Sequence, residues 1–580
     1  MCGIAGMAGE QARLETVRAM TERLAHRGPD GEGFWADAEQ GVALGHRRLA
    51  IQDLSPSGDQ PMLHGAHVLT YNGELYNHEA LRAALPGPWR STGDTEVVLH
   101  LLARDGSDGL QQLVGMFALA LWDGAARRLL LVRDRLGIKP LYYRLSSGGI
   151  AFASELKALL VLGTPPIDRS AVRDYLFHGY VPSPKSIYEG IAKLPAGHWL
   201  EWSEGRVRIE RYWNPSTAVT VREAPAALER LDARLREVVP AHTVADVPVG
   251  VFLSGGLDSA LTTYYLDHPH TFSLGFEERD RSELAAARMT AEHLHTQHAE
   301  ITAPARDFVV ALECLPQVFD EPFGDSAAWS NYLIAECARR EVTVALSGEG
   351  GDEIFCGYPR YWSRIGARST VLNRSLAPLV PALSRMGASL RNRSYQGLAA
   401  FAAALGGLNA EQIGTLLAPA WLERDYDYWW FYRKFWREEL APLEQLRWLD
   451  LNTDLAEGLL TKVDRSSMAH SLEVRPPLLD HRLVELMLSI DPHLLVDEAH
   501  ERGKVLVRTL MAPRLPPAII ERPKSGFGLP VRRWLARHPE LLAGAVRRLI
   551  ERGVLARPVG TDFRRAWALL MLDRWFTTFG

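Results

Sequence analysis

The sequence predicts a two-domain α/β protein, in which an antiparallel β-sheet domain is followed by a parallel-sheet domain with added helices. Three observations support this fold class. The 580 residues exceed the length at which one hydrophobic core keeps growing. Before residue 213 short strands are joined by tight turns, whereas strands and helices alternate after it. We therefore expect domains at residues 1–213 and 214–580.

The N-terminal part consists of apolar segments joined by turn sequences. The predicted strand pairs are residues 117–122 with 129–132, residues 141–144 with 150–152, and residues 199–202 with 207–209. The intervening turns contain Asp123-Gly124, a Ser-Ser-Gly-Gly segment and Glu204-Gly205. Such turns connect neighbouring antiparallel strands, so the pattern predicts β-hairpins.

The C-terminal part alternates between helical and extended patterns. Leu228, Leu231, Leu235 and Val238 recur at helical spacing. Strands are predicted at residues 249–253, 271–275 and 342–346, helices at residues 283–295 and 331–339, and mostly helices from about residue 376 onward. This alternation is typical of a parallel sheet that is covered on both faces.

Composition excludes several classes of protein. The net charge of -5 provides no positive field for nucleic acid, and a soluble globular protein is indicated by 47% hydrophobic and 23% charged residues. The longest apolar stretch, residues 398–408, is far shorter than the roughly 20 residues that cross a bilayer. Four cysteines without a C-x-x-C pair predict no disulfide framework. We expect a cytoplasmic protein without nucleic-acid or membrane partners.

The N-terminus carries a candidate nucleophile. Removal of Met1 exposes the thiol and the α-amine of Cys2 on one residue. The amine, with an ordinary pKa of about 7.7–8.0, can accept the proton of a thiol whose pKa is about 8.5. The alternative is a surface cysteine in a frayed terminus. Four motifs follow, namely HRGPD at residues 26–30, HRRL at 46–49, YNGELYN at 71–77 and STGDTE at 91–96.

Together these motifs resemble the glutaminase domain of class II, N-terminal-nucleophile amidotransferases, whose fold is an αββα sandwich. The resemblance implies that Cys2 attacks the side-chain amide of glutamine, while the Asn72 side chain and the Gly73 N–H stabilise the oxyanion. It assigns Arg48 to the α-carboxylate of glutamine, and Asp94 with Glu74 to the α-ammonium group. The alternative for Asn72-Gly73 is a plain hairpin turn.

A second motif, SGGLDS at residues 254–259, lies between a predicted strand and a predicted helix. Glycine-rich turns of this kind present N–H groups to an anion. No Gly-Lys-Ser/Thr follows, so the Walker-type loop is excluded. The motif resembles the loop of ATP pyrophosphatases, which implies adenylation with pyrophosphate as the leaving group. A generic Ser/Gly loop is the alternative. SGEGGDE at residues 347–353 follows the next predicted strand, where α/β sheets bind ligands.

Three later motifs, KVDRSSM at residues 462–468, EVRPPLLD at 473–480 and RPKSGFG at 522–528, extend the resemblance over essentially the whole chain, to asparagine synthetases. This resemblance implies ATP and Mg²⁺ as cofactors, with Asp258 and Asp352 as metal ligands and Glu349 acting near the acyl-adenylate. The ATP-binding residues that it implies are Leu253, Ser254, Gly255, Gly256, Asp258, Ser259, Leu274, Ser347, Gly348, Arg465 and Lys524. A solvated surface cation is the alternative for Lys524.

The resemblance implies ATP-dependent synthesis of asparagine from aspartate and glutamine, and it allows a homodimer. Ammonia released at Cys2 would then reach the adenylate through an apolar internal passage. Shortly after the DEPFGDS motif of residues 320–326, Trp329 and Ser330 stand where close relatives usually have Ile and Pro, so amidation of another carboxylate is an alternative. A neutral replacement in a packing helix is the other interpretation of this difference. A tRNA-modifying pyrophosphatase-type enzyme and a non-catalytic assembly module are two further alternatives.

Overall fold

The computed structural model describes residues 2–276, 283–303, 307–363, 398, 401, 405, 407–522, 531–558 and 563–580. Its strands are β1 Gly3–Gly9, β2 Gly31–Asp37, β3 Val42–Arg48, β4 Met62–His64, β5 His67–Leu75, β6 Gly115–Asp123, β7 Arg128–Arg133, β8 Tyr142–Ser146, β9 Gly149–Ala153, β10 Ile191–Lys193, β11 His198–Ser203, β12 Arg206–Arg211, β13 Val249–Phe252, β14 His270–Phe276, β15 Gln297–Ala303, β16 Val344–Leu346, β17 Glu473–Arg475, β18 Val496–Asp497 and β19 Arg502–Gly503.

Its α-helices are α1 Leu14–Glu22, α2 His78–Ala84, α3 Asp94–Asp105, α4 Leu156–Leu159, α5 Arg169–His178, α6 Ala224–Ala241, α7 Leu257–Tyr264, α8 Leu284–His293, α9 Asp307–Phe319, α10 Ala327–Ala338, α11 Gly351–Ile354, α12 Arg360–Ser363, α13 Ala410–Leu416, α14 Trp430–Arg433, α15 Pro442–Asn452, α16 Leu460–Met468, α17 His481–Ser489, α18 Val505–Met511, α19 Pro517–Ile520, α20 Val531–Arg537, α21 Pro539–Glu551 and α22 Phe563–Phe579. A π-helical turn, Asp454–Leu459, immediately precedes α16.

The N-terminal domain is a sandwich of two six-stranded antiparallel sheets. The strand orders are β10-β8-β9-β1-β3-β2 and β12-β11-β7-β6-β5-β4. Ile4 and Phe152 of the first sheet share a buried cluster with Trp122 and Leu131 of the second, so the two sheets pack face to face. Helix α3 covers the outer face of the second sheet, and α1 covers the outer face of the first. The predicted αββα arrangement is confirmed.

The predicted hairpins are present at β6–β7, β8–β9 and β11–β12. Asn72 and Gly73, in contrast, do not form a turn. They lie inside β5, where Asn72 pairs with Ala118 and Gly73 pairs with Phe117 of β6. The nine residues of β5 all have partners on β6, which excludes the hairpin-turn alternative for this pair of residues.

The C-terminal domain is built on a parallel sheet with the order β15-β14-β13-β16-β17. Leu235 of α6 and Leu261 of α7 belong to one buried cluster, whereas Leu274 of β14 and Ile334 of α10 belong to another. The predicted alternation of strands and helices in this domain is confirmed. Because β13 and β16 are neighbouring parallel strands, the two glycine-rich loops begin at the same edge of the sheet.

Strand β17 was not predicted, although it completes the sheet beside β16. It has three residues, and two of them, Glu473 and Arg475, are charged, so no apolar pattern marks it. Both charged side chains are nevertheless fully buried, and they contact each other with Arg475 Nε 2.6 Å from Glu473 Oε1. This buried ion pair permits a strand that hydrophobicity does not reveal.

Of the region predicted to be mostly helical, which starts at about residue 376, the residues outside the described part of the chain are 376–397, 399–400, 402–404, 406, 523–530 and 559–562. From residue 407 the described chain is mainly helical, with three short strands. Considering the described residues, no helix has the length and apolar character that a membrane span requires. Strand β12 ends at Arg211 and α6 begins at Ala224, while the boundary at residue 213 stays a prediction.

Candidate active sites

Cys2 is buried immediately before β1, and its backbone is held from two directions. The Cys2 N–H donates to Asn72 Oδ1 at 2.9 Å, and the Cys2 carbonyl accepts from Arg27 Nε at 3.1 Å. The position of the residue excludes the frayed-terminus alternative. Burial raises the pKa of the Cys2 thiol, so formation of a thiolate there requires a base.

The neighbouring strand β5 fixes the two residues that were predicted to stabilise an oxyanion. Asn72 is completely buried and is aligned by its pairing with β6. At Gly73 an added Cβ would lie 2.5 Å from the Met116 carbonyl oxygen, so the adjacent strand itself requires a glycine. The same strand therefore carries Asn72 next to Cys2 and Glu74 two residues farther along.

The predicted glutamine-binding charges lie around this strand. Arg48 pairs with Asp59 at 2.7 Å. Asp94 accepts from the Leu75 N–H at 2.8 Å, and burial raises the pKa of its carboxyl group. Glu74 lies 3.0 Å from the guanidinium of Arg475, and burial also raises the pKa of Glu74. Arg475 belongs to the C-terminal domain and was not predicted as part of this site.

A cavity of about 770 Å³ lies above the edge of the parallel sheet. This volume is typical of small-molecule sites, which span roughly 300–1,000 Å³. The predicted residues that line it are Leu253, Ser254, Gly255, Gly256, Asp258, Ser259, Ser347, Gly348, Glu349 and Asp352. Leu274 is buried within β14 and is not among the lining residues.

The two glycine-rich loops pack directly against each other. An added Cβ at Gly348 would lie 2.7 Å from the Ser259 nitrogen, and one at Gly351 would lie 2.5 Å from Asp258 Cγ. Within the first loop, the Ser254 hydroxyl lies 2.9 Å from the Ser259 hydroxyl. The glycines of the second loop are thus needed for close contact with the first, and both loops face one cavity.

Asp258 and Asp352 converge on one position. Lys504 Nζ lies 2.5 Å from a carboxylate oxygen of each. Mg²⁺ commonly binds to one or two protein carboxylates together with phosphate oxygens and water, so these two carboxylates are the ligand type that a magnesium ion takes. Such an ion would have to displace the Lys504 ammonium group from the position between them. No group of three or more His, Cys, Asp or Glu side chains placed to hold a metal occurs among the described residues.

Sequence reasoning missed several cations of this cavity. Lys504 follows a two-residue strand and precedes α18, without any motif that marks it. Lys462 pairs with Asp325 at 2.9 Å, and Arg522 donates to the Gly255 carbonyl at 3.2 Å. All three line the cavity. Lys524, which was predicted to bind ATP, lies outside the described residues.

Arg465 occupies a different place from the one expected. It is buried between the domains, where its guanidinium lies 2.7 Å from Asp320 and 3.1 Å from Glu155. It also donates to the Val318 carbonyl at 2.9 Å. The expectation that Arg465 reaches the pyrophosphate is therefore corrected, because its charge is committed to the domain interface and it does not line the cavity.

The same interface contains further buried ion pairs. Arg27 of the N-terminal domain lies 2.9 Å from Asp464, and Lys193 lies 2.7 Å from Glu321. Removing one partner of a buried ion pair leaves the other partner as an uncompensated buried charge. These contacts connect the Cys2 site with α16, which carries Lys462 into the cavity.

Replacement of Arg465 by Met is expected to destabilise the protein by about 3–5 kcal/mol, because Asp320 and Glu155 lose a buried counter-charge. Arg208→Met, which breaks an exposed pair with Glu210, is the matched control and should cost less than about 1 kcal/mol. Urea unfolding of both variants measures the difference. Equal unfolding midpoints would contradict the stabilising role of Arg465.

Trp329, which stands where close relatives usually have Ile, lies away from the cavity. Helix α10 presents Ala327, Asn331 and Ile334 to the cavity. Trp329 is buried in the core, and its ring stacks on Tyr332 with 4.9 Å between the centroids. The large side chain is therefore a packing residue in this helix, and it does not narrow the described cavity.

Comparisons with known proteins cover both domains. A family model described as asparagine synthase matches residues 230–576, and one described as a glutamine amidotransferase domain matches residues 1–213. The chain is 32% identical to asparagine synthetase [glutamine-hydrolyzing] 3 of Bacillus subtilis, over 94% of this chain and 88% of that protein. It is 30% identical to asparagine synthetase [glutamine-hydrolyzing] 1 of the same organism, over 92% and 88%.

Proposed function

Because the chain belongs to the family of glutamine-hydrolysing asparagine synthetases and is a glutamine-dependent ligase, we propose that it converts aspartate, ATP, glutamine and water to asparagine, AMP, pyrophosphate and glutamate. One observation carries the proposal. The Cys2 N–H donates a hydrogen bond to Asn72 Oδ1 in one domain, while Asp258 and Asp352 converge beside the SGGLDS loop in the other. The first arrangement suits amide hydrolysis, and the second suits adenylation.

In the N-terminal domain, the Cys2 thiol attacks the side-chain amide carbon of glutamine. The α-amine exposed by removal of Met1 takes the thiol proton, which is needed because burial disfavours the thiolate. Asn72 and the Gly73 N–H stabilise the oxyanion, while Arg48, Asp94 and Glu74 bind the α-carboxylate and the α-ammonium group. Ammonia leaves, and water then releases glutamate from the thioester.

In the C-terminal domain, the side-chain carboxylate of aspartate attacks the α-phosphorus of ATP and pyrophosphate leaves. The SGGLDS loop donates N–H groups to the phosphates, and Lys462 and Arg522 add positive charge nearby. Magnesium bound by Asp258 and Asp352 would neutralise charge on the leaving pyrophosphate. Ammonia attacks the acyl carbon of the adenylate, the bond between that carbon and the phosphate oxygen breaks to release AMP, and Glu349 accepts a proton as the amide forms.

Transfer of ammonia between the sites is part of the proposal. A buried apolar cluster of Leu49, Ile51, Val344 and Met468 spans the interface between the domains. Cys2 Sγ lies 4.0 Å from the Leu49 carbonyl oxygen, and Val344 begins the strand that leads to Ser347. An apolar route along this cluster would exclude water and keep ammonia unprotonated.

The route has an isotopic test. Glutamine labelled with ¹⁵N in its side-chain amide should deliver its label to asparagine in the presence of excess unlabelled ammonium. Mass spectrometry of the product measures the retained label. Complete dilution would reject the passage while leaving both chemical half-reactions intact.

The acceptor is tested by pyrophosphate release. We expect release to require aspartate, and we expect AMP, pyrophosphate and asparagine in equal amounts, because adenylation breaks the bond between the α- and β-phosphates of ATP. A panel of other carboxylates, including glutamate, is the control. Formation of ADP, or inertness of aspartate with turnover of another carboxylate, would overturn the proposed reaction.

The packing position of Trp329 gives no support to a different acceptor. A tRNA-modifying function is not favoured, because the chain has a glutamine amidotransferase domain before the domain that carries the proposed ATP site. A non-catalytic assembly module is not favoured, because the chain has Cys2, Asp258 and Asp352, the residues that we propose as nucleophile and magnesium ligands. A homodimer and a cytoplasmic location stay predictions.

A further inference from the structure

Arg475 reaches from the synthetase domain into the glutamine site. Its guanidinium lies 3.0 Å from Glu74, and the two side chains are 0% and 3% exposed. Its guanidinium also lies 5.9 Å from the ring centroid of Tyr76 in the N-terminal domain. Its side-chain hydrogen bonds go to the C-terminal domain, since it donates to the carbonyls of His242 and Val244 at 2.8 and 2.7 Å and pairs with Glu473. The C-terminal domain thus fixes the arginine that contacts a glutaminase residue.

Glu74 needs such a partner to carry a negative charge. Burial raises the pKa of the Glu74 carboxyl group, and the nearby Asp94 and Glu473 raise it further, whereas Arg475 opposes these effects. Gln52 Nε2 donates to the second carboxylate oxygen. A carboxylate oxygen has two lone pairs, so Glu74 keeps acceptor capacity for a substrate ammonium group.

The backbone of Arg475 is joined to the ATP site. Strand β17 pairs with β16, with Arg475 opposite Leu346. The Ser347 N–H, at the start of the SGEGGDE loop, donates to the Arg475 carbonyl at 2.9 Å. One residue therefore contacts Glu74 through its side chain and the ATP loop through its backbone.

We propose that Arg475 is a positioning residue for glutamine, which orients Glu74 and favours its charged form, so that the glutamine site is complete only when the synthetase strand is docked. This inference rests on the proposed function, in which Glu74 binds the α-ammonium group of glutamine. It assigns to the C-terminal domain a part in substrate binding by the N-terminal domain.

The first test is Arg475→Met, assayed for glutamine hydrolysis without ATP and for synthesis from ammonia. Truncating one partner of a buried charge pair typically weakens binding by about 30-fold or more. We expect KM for glutamine to rise by that order with a smaller change in kcat, and we expect synthesis from ammonia to persist, which also verifies folding. Arg475→Lys keeps the charge and should show a smaller rise in KM.

A double-substitution cycle with Glu74→Gln separates positioning from general stability. If Arg475 acts through Glu74, the double variant should have a KM for glutamine close to that of the worse single variant. In Arg475→Met, KM should also fall as pH rises, because deprotonation restores the Glu74 charge. The KM of Glu74→Gln should lack this pH response, because the amide does not titrate.

The opposing outcomes are distinct. A raised KM in Glu74→Gln with an unchanged KM in Arg475→Met would overturn the inference and leave the proposed function standing. Additive effects in the double variant would also overturn it, because Arg475 would then act on another group. An unchanged KM in Glu74→Gln would remove the glutamine-binding role of Glu74, and the inference with it.

Discussion

Cys2→Ala is expected to abolish synthesis driven by glutamine while synthesis from added ammonia continues. The substitution removes the sulfur that would form the thioester, and loss of a covalent nucleophile commonly lowers the rate by on the order of 10⁴-fold or more. The ATP cavity, whose residues begin at Phe252, is untouched. Parallel assays with glutamine and with ammonium chloride, reading asparagine by chromatography, measure the split.

Cys337→Ala is the matched control for this experiment. Cys337 is half-buried on α10, outside the residues around Cys2 and outside the cavity lining. Its replacement should leave synthesis from either nitrogen source near the wild-type rate. Persistent glutamine-driven synthesis in Cys2→Ala would refute the assignment of Cys2 as the nucleophile. Retention of the initiator methionine on the active protein would refute it as well.

Asp352→Asn is expected to stop pyrophosphate release with both nitrogen sources. The carboxylates of Asp352 and Asp258 both contact the Lys504 ammonium group. The amide introduced by the substitution would lack the negative charge that is needed to hold a divalent cation at this position. Metal-assisted charge stabilisation is worth several kcal/mol, so we expect a loss of about 10³-fold. Hydrolysis of glutamine without ATP should continue, because its nucleophile lies in the other domain.

An exposed carboxylate provides the comparison for Asp352. Asp427→Asn breaks a surface pair with Arg433, in which the two side chains are 40% and 62% exposed. It should change pyrophosphate release by less than about twofold, because exposed pairs contribute little. Pyrophosphate release near the wild-type rate in Asp352→Asn would show that this carboxylate is not required for adenylation.

The parts of this protein that sequence predicts well are those with local signatures. Strand–turn–strand patterns marked the hairpins, and strand–loop–helix order marked the SGGLDS loop. Asn72-Gly73 demonstrates the limit of local patterns, because the dipeptide typical of a turn lies within a nine-residue strand. Pairing with β6 along the whole strand overrides the local preference for a turn.

The parts that sequence did not predict depend on contacts between distant charges. Lys504 lies 246 residues from Asp258, and Arg475 lies in a three-residue strand that contacts Glu74. Arg465 was assigned to the pyrophosphate because its motif, KVDRSSM, resembles a late motif of asparagine synthetases. Its partners, Asp320 and Glu155, become evident only when the two domains are placed together.

The buried ion pairs across the interface have a consequence for exchange of domains between relatives. Arg27 with Asp464, and Lys193 with Glu321, place complementary charges on opposite halves, out of reach of dissolved counter-ions. A hybrid that joins the first half of this chain to the second half of a homologue would need every such charge matched. We therefore expect the halves to evolve as a pair, with compensating replacements on both sides of the seam.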